Sequence, residues 1–174
     1  MLPEGLVIPG LNDSKKLTPK KRDALFDLIL EQALAYSVAS VSEKEIDEIN
    51  ILQATYLAMR RACDGLALPA DYALVDGNRD PGLSIPTETV IKGDAKSMSI
   101  AAASILAKVS RDRYMLEMAK LYPEYQFEKH KGYGTKLHYE MLAKYGVSEI
   151  HRRSFLRTLD EHIAKLRESE NGGN

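Results

Sequence analysis

Tyr72-Ala73-Leu74-Val75-Asp76-Gly77-Asn78 is the stretch on which the fold turns. A short apolar run flows into Asp-Gly-Asn, a turn signal, so it reads as a strand ending in a carboxylate. Thr89-Val90-Ile91-Lys92-Gly93-Asp94 repeats the pattern: a second strand, a glycine and a second aspartate. A carboxylate at the end of a buried strand stands on a rigid support and can reach a cleft. Two of them on neighbouring strands can share hard cations, which prefer oxygen ligands. Aspartate beside glycine is also a common turn former, and spacing alone does not choose between ligand and turn.

Helical patterns surround these two strands. Leu6, Val7 and Ile8 read as a strand stub closed by Pro9-Gly10, and Thr18-Pro19 as an N-cap followed by proline at the first helical position. Leu25, Leu28, Ile29 and Ala33 recur at helical spacing and carry that helix to about Leu34. Tyr36 to Val41 leans toward β structure, and Ser42 with Glu45 matches a capping box opening a short helix with Ile46 and Ile49. A longer helix follows from about Ile51 to Leu66, with Leu52, Tyr56 and Met59 or their neighbours inside. Ser97 to about Leu121 is strongly helical, and its Ala101-Ala102-Ala103-Ser104 run permits close packing. Gly132 and Gly134 mark a loop, Leu137 to Tyr145 a helix, and Leu159 to Arg167 a last helix before a polar tail, residues 168–174, expected to be disordered. Strands alternating with helices indicate a single α/β domain over residues 1–167.

Composition narrows the possibilities. Of 174 residues, 44% are hydrophobic and 28% charged, ordinary for a globular protein, and no run approaches a membrane span. Cys63 is the only cysteine, so neither a disulfide framework nor a thiolate zinc site is expected. The first residues lack a secretory pattern, and a cytoplasmic setting follows as the expectation. The net charge of −1 does not announce a polyanion binder, but its distribution is uneven. Lys15, Lys16, Lys20, Lys21 and Arg22 cluster, as do Lys129, Lys131 and Lys136, with His151, Arg152, Arg153 and Arg157 beyond. Such separation suits a nucleic-acid face, although solvated helix faces give the same pattern.

Four further groups could carry chemistry. Lys92 and Lys96 flank Asp94 and could meet a phosphate, or be plain loop lysines. Lys129-His130-Lys131-Gly132-Tyr133-Gly134-Thr135 offers basic groups, flexible backbone and one ring, suited to phosphates plus a sugar or base contact. Tyr133 could equally anchor its own loop. Asn12-Asp13-Ser14-Lys15-Lys16 could direct amide, hydroxyl and ammonium donors at a phosphate, or simply lead into a helix. The four histidines show no metal-ligand spacing and read as polar surface or as support for other residues.

In order along the chain, these pieces resemble the motifs of bacterial ribonuclease HII. Gly10-Leu11-Asn12-Asp13-Ser14-Lys15-Lys16-Leu17 and Ile46-Asp47-Glu48-Ile49-Asn50-Ile51-Leu52-Gln53-Ala54-Thr55 come first. Val75-Asp76-Gly77-Asn78, Lys92-Gly93-Asp94, Ala101 through Val109, His130 through Thr135 and His151-Arg152-Arg153-Ser154-Phe155 continue the series to about Arg157. The resemblance implies a ribonuclease H-like fold, a mixed sheet flanked by helices. It implies cleavage of RNA in RNA–DNA hybrids, including single ribonucleotides embedded in duplex DNA, leaving 3′-hydroxyl and 5′-phosphate ends. It makes Asp76 and Asp94 two of four carboxylates that bind Mg2+ or Mn2+. Tyr133 matches the tyrosine that packs on the sugar at the RNA–DNA junction, and Ser14, Lys15 and Lys16 fall where the family meets backbone phosphate.

The family's first-strand Asp-Glu pair and Gly-Arg-Gly motif would precede Leu6 and have no counterpart here. The expectation is that the first two strands and their turn, on the order of 30 residues, are missing. Two carboxylates neutralise only half the charge of two dications, so this chain alone is expected to be nearly inactive and poorly soluble, and the full-length enzyme an active monomer. The alternative from another class is a catalytically dead remnant that still binds nucleic acid.

Overall fold

A computed structural model describes residues 1–164. Its elements are helix α1 (Pro19–Gln32), helix α2 (Glu43–Asp64), strands β1 (Ala73–Asp76) and β2 (Thr87–Val90), helix α3 (Met98–Leu121), a one-turn helix α4 (Phe127–His130) and helix α5 (Lys136–Tyr145). Short 3-10 turns lie at Ser14–Lys16, Gly93–Ala95, Pro123–Tyr125 and Arg153–Leu156. Residues 159–164 are helical; the rest of the last expected helix and the 168–174 tail lie outside the described residues. No helix among the described residues is long and apolar enough to cross a membrane.

Local chemistry sets most boundaries. The Thr18 side chain accepts from Lys21 N–H at the start of α1, with Pro19 at the first position. Ser42 and Glu45 form the expected box: Ser42 N–H donates to Glu45 Oε2 at 2.9 Å, and Glu45 N–H to Ser42 Oγ at 3.3 Å. The two helices expected in tandem meet at Asn50, whose φ of 66° and ψ of 164° break α2.

The chain divides into two compact units, Met1–Val41 with Leu52–Arg111, and Ser42–Ile51 with the residues from Asp112 onward. In the first, β1 and β2 pair in parallel with Asp76 opposite Val90. These are the only strands among the described residues, so the sheet is small and parallel, with no antiparallel part. Its core sets Ile8, Leu25, Phe26 and Ile29 against Ala102, Ile105, Leu106 and Val109. The small side chains of α3 permit that approach, and Ile105 is wholly enclosed. The second unit packs Met115, Tyr125, Phe127 and Leu142 together, with Tyr139, Met141 and Ile150 around them.

Three expectations are corrected. Leu6–Ile8 is not a strand: Leu6 N–H donates to the Pro3 carbonyl, Leu11 N–H to that of Ile8, and Ile8 N–H to Met98 Sδ. Turn bonds and a sulfur thus take the groups a ladder would use, while the Ile8 side chain still enters the core. Tyr36–Val41 is also irregular rather than a strand, with Tyr36 and Val38 exposed and the Ser40 carbonyl accepting from Arg61 Nη1. Along α2 the buried residue is the small Ala54, and Leu52 is exposed.

Asp47 bonds one motif to another within the second unit. Its carboxylate accepts from Arg153 N–H (2.8 Å), Ser154 N–H (2.9 Å) and Ser154 Oγ (2.5 Å), capping the Arg153–Leu156 turn. The Ser154 hydroxyl and then its N–H hold the carboxyl below the ordinary aspartate range. A lowered value means that this stabilisation is complete above the ordinary pKa and is lost as pH falls through the folded one. Asp47→Ala should cost about 1–2 kcal/mol at pH 7, read by urea unfolding, and the difference should vanish in strong acid. An unchanged urea midpoint at pH 7 would remove the cap from the account.

Candidate metal and nucleic-acid site

At the end of β1, Asp76 is exposed, while Val75 just before it is buried in the sheet. Asp76 Oδ1 accepts from Gly93 N–H at 2.8 Å, and Gly77 N–H donates to the Val90 carbonyl at 3.1 Å. The carboxylate of the first strand is therefore clamped to the backbone immediately before Asp94. Asp94 is partly buried inside the Gly93–Ala95 turn, which Lys92 enters in the left-handed conformation at φ 55°. The Gly93 carbonyl accepts from Lys96 N–H (2.9 Å) and Ser97 N–H (2.8 Å), joining the turn to the start of α3. With one oxygen fixed by a backbone N–H, the Asp76 carboxylate presents the other in a set direction.

Gly93 is needed because of crowding. A Cβ there would lie 2.5 Å from Ile100 Cδ1, 3.3 Å from Ile100 Cγ2 and 3.4 Å from Asp76 Oδ1. Ile100 is itself buried and has little room to yield. Gly93→Ala should therefore destabilise by about 1–3 kcal/mol and loosen the turn carrying Asp94. Urea unfolding checks the first effect and weakened Mn2+ binding the second; wild-type values for both would refute the crowding argument.

The donor set suits a hard divalent cation, being all carboxylate oxygen. Among the described residues, no group of three or more Asp, Glu, His or Cys side chains is placed to hold a metal ion. In the same unit, Lys15 and Lys16 are exposed on the Ser14–Lys16 turn. Ser14 is buried, and its carbonyl accepts from Arg22 Nη1 at 3.0 Å. The basic pair thus faces water while its neighbouring serine faces inward.

Tyr133 belongs to the second unit. Its ring is 62% exposed, so burial of the ring does not anchor the loop. The backbone does: Tyr133 N–H donates to the His130 carbonyl (2.9 Å), and the Tyr133 carbonyl faces His138 Nδ1 at 3.0 Å. The placement of the histidines corrects the sequence reading, since His130, His138 and His151 are all buried. His130 and His138 stack at 4.4 Å, and Phe127 meets both edge-on. Burial first, then the charge of His130, pushes His138 down to about 4, and burial also lowers His151. Residues so far apart in sequence give no spacing signal; only the adjoining Phe127 and Tyr125 hint at an aromatic core.

Comparison with known proteins gives this arrangement its context. The family model described as Ribonuclease HII matches residues 5–158 in one run through both units. Ribonuclease HII of Caldicellulosiruptor saccharolyticus is 56% identical over 154 residues, covering 88% of this chain and 75% of that protein. Ribonuclease HII of Clostridioides difficile is 55% identical over 152 residues, covering 87% of this chain and 60% of that protein. The crystal structure of the ribonuclease H2 from Pyrococcus horikoshii OT3 superposes with a TM-score of 0.75 at 28% identity, covering 91% of this chain and 82% of that one. A fold that clamps a strand-end aspartate to the turn carrying a second one, matched from residue 5 to residue 158 by one family, leaves a single assignment: the chain belongs to the ribonuclease HII family.

Proposed function

We propose that the chain serves an endonuclease that hydrolyses the RNA strand of RNA–DNA hybrids and cuts at single ribonucleotides embedded in duplex DNA. The observation that carries this reading is the clamp between the Asp76 carboxylate and Gly93 N–H, which holds the carboxylate at the end of β1 against the turn that carries Asp94. Asp76 and Asp94 would hold Mg2+ or Mn2+, which when bound supplies Lewis-acid activation of water and of the leaving oxygen. Lys15 and Lys16, with Ser14 supporting their turn, meet backbone phosphate. The exposed Tyr133 ring packs on the sugar beside the ribonucleotide. Products carry 5′-phosphate and 3′-hydroxyl ends. The unbroken family match through both units supports one nuclease domain over residues 1–167, and we take the full-length protein to be a cytoplasmic monomer.

A labelled duplex with one ribonucleotide tests the reading. Metal-dependent cutting at the ribonucleotide, absent on all-DNA duplex, is the expected result. Equal cutting of both duplexes would refute it. A second reading is favoured by the lack of any third metal-binding side chain near Asp76 and Asp94 among the described residues: binding without cleavage. Two carboxylates balance only half the charge of a pair of dications. Tight metal-free binding of the same duplex with no cutting would select that reading.

A further inference from the structure

The buried histidines form a chain whose proton positions follow from their partners. Ser148 N–H donates to His151 Nδ1 at 3.1 Å, and the Ser148 hydroxyl lies 2.7 Å from the same nitrogen. With Nδ1 accepting, the His151 proton sits on Nε2, which is 3.1 Å from His138 Nε2. His138 Nε2 therefore accepts, and its own proton sits on Nδ1, aimed at the Tyr133 carbonyl 3.0 Å away. Beside it, Gly132 N–H donates to His130 Nδ1 (3.2 Å), so His130 Nε2–H donates to the Tyr125 carbonyl (2.9 Å). One arrangement of protons satisfies all three rings, and no buried side-chain polar atom among the described residues lacks a partner.

We propose that Ser148, His151 and His138 are positioning residues, a relay that fixes the Tyr133 backbone and so aims its exposed ring at the nucleic acid. The inference rests on the sugar contact proposed for Tyr133. Each link is directional. Without the His151 donor, His138 is free to carry its proton on Nε2, which turns a bare Nδ1 lone pair toward the Tyr133 carbonyl. Two acceptors then face each other and the loop shifts. Burial disfavours the charged forms of His138 and His151; the nearby charged or titratable groups acting on His138 are His130, His151 and Arg152. A protonated His138 would oppose its Nε2–H to that of His151, so the relay is complete only in the neutral state.

The test is a double-mutant cycle on binding of a fluorescein-labelled duplex with one ribonucleotide, measured by anisotropy without divalent metal. Tyr133→Ala should weaken binding by about tenfold, as loss of an aromatic contact does. His151→Leu should weaken it by about three- to fivefold alone and by nothing further in the Tyr133→Ala background. His151→Gln, which keeps a donor toward His138, should stay within about twofold of wild type. Should His151→Leu melt below the assay temperature, His138→Asn takes its place. Its amide restores a donor near Nδ1, so wild-type affinity is expected, and a loss as large as that of Tyr133→Ala overturns the relay. If Tyr133→Ala binds normally, the sugar contact itself falls. If Tyr133→Ala weakens binding while His151→Leu does not, or if their losses multiply, the contact stands and the relay is overturned.

Discussion

Asp76→Asn should lower Mn2+-dependent cutting at a single ribonucleotide by at least about a hundredfold while leaving the fold intact. The separation of the two effects follows from the geometry. Asp76 Oδ1 accepts from Gly93 N–H, and an asparagine oxygen can accept the same bond. The exposed side chain leaves no cavity when its second oxygen becomes an amide. What disappears is the negative charge and one hard oxygen ligand, where no group of three or more such ligands stands together among the described residues. Even residues that merely support a metal ligand cost about 10- to 100-fold when replaced, so a direct ligand should cost more. Binding offers a readout independent of turnover. Saturating Mn2+ should raise the thermal midpoint of the wild-type chain, because a ligand held at about 100 times its Kd adds about 2.7 kcal/mol. Asp76→Asn should lose that increase, with an unchanged midpoint in chelator. Retained metal stabilisation in the variant would place the cation elsewhere.

Signals local to a few residues were legible in the sequence. The Thr18 cap, the Ser42–Glu45 box and Asp76 at the end of β1 depend on neighbours in the chain, and each stands as expected, whereas β2 stops at Val90 and Asp94 falls in the turn beyond it. Strand expectations failed where apolar character was present but a partner was not. Leu6–Ile8 and Tyr36–Val41 have β-favouring side chains yet form no ladder, since pairing is a property of two segments. Leu52 was misplaced because helical spacing marks a repeating stripe but not which stripe packs, and along α2 the buried residue is Ala54. For Gly93, the reason for the missing side chain is Ile100, whose approach no local pattern reveals. Asp47 stood in the sequence as one residue of the Ile46–Thr55 motif. Its role depends on Arg153 and Ser154, more than a hundred residues away. The buried histidines were missed on the same grounds: imidazoles are amphipathic, and only the partners decide whether they face water or one another.

Phe127→Ala should be the most destabilising single change in the second unit, costing about 3–5 kcal/mol. Phe127 is 1% exposed and stacks on Tyr125 at 5.4 Å, while His130, His138 and His151 each lie within 5.8 Å of it, centroid to centroid. Removing the ring opens a cavity bordered by His130 and by His138 and His151, whose charged forms burial disfavours. Water can enter a polar cavity of that size, so the penalty against protonation should ease as packing is lost. The pH dependence then gives the change a signature. In the wild type, His138 and His151 bind protons less readily when folded than when unfolded, so their contribution is fully present above the ordinary histidine value of 6.5. It drains away as pH falls, down to about 4 for His138. Most carboxylates stay ionised above pH 5, which leaves the window between 6.5 and 5 to the histidines. In Phe127→Ala the slope across that window should flatten, so the stability gap to wild type should be widest near pH 7 and narrow toward pH 5. Urea unfolding followed by tyrosine near-UV signal reads both quantities. A gap under about 1 kcal/mol at pH 7 would show that Phe127 is not what this unit packs around. A gap that stays constant down to pH 5 would show instead that the imidazoles keep their dry surroundings without the ring.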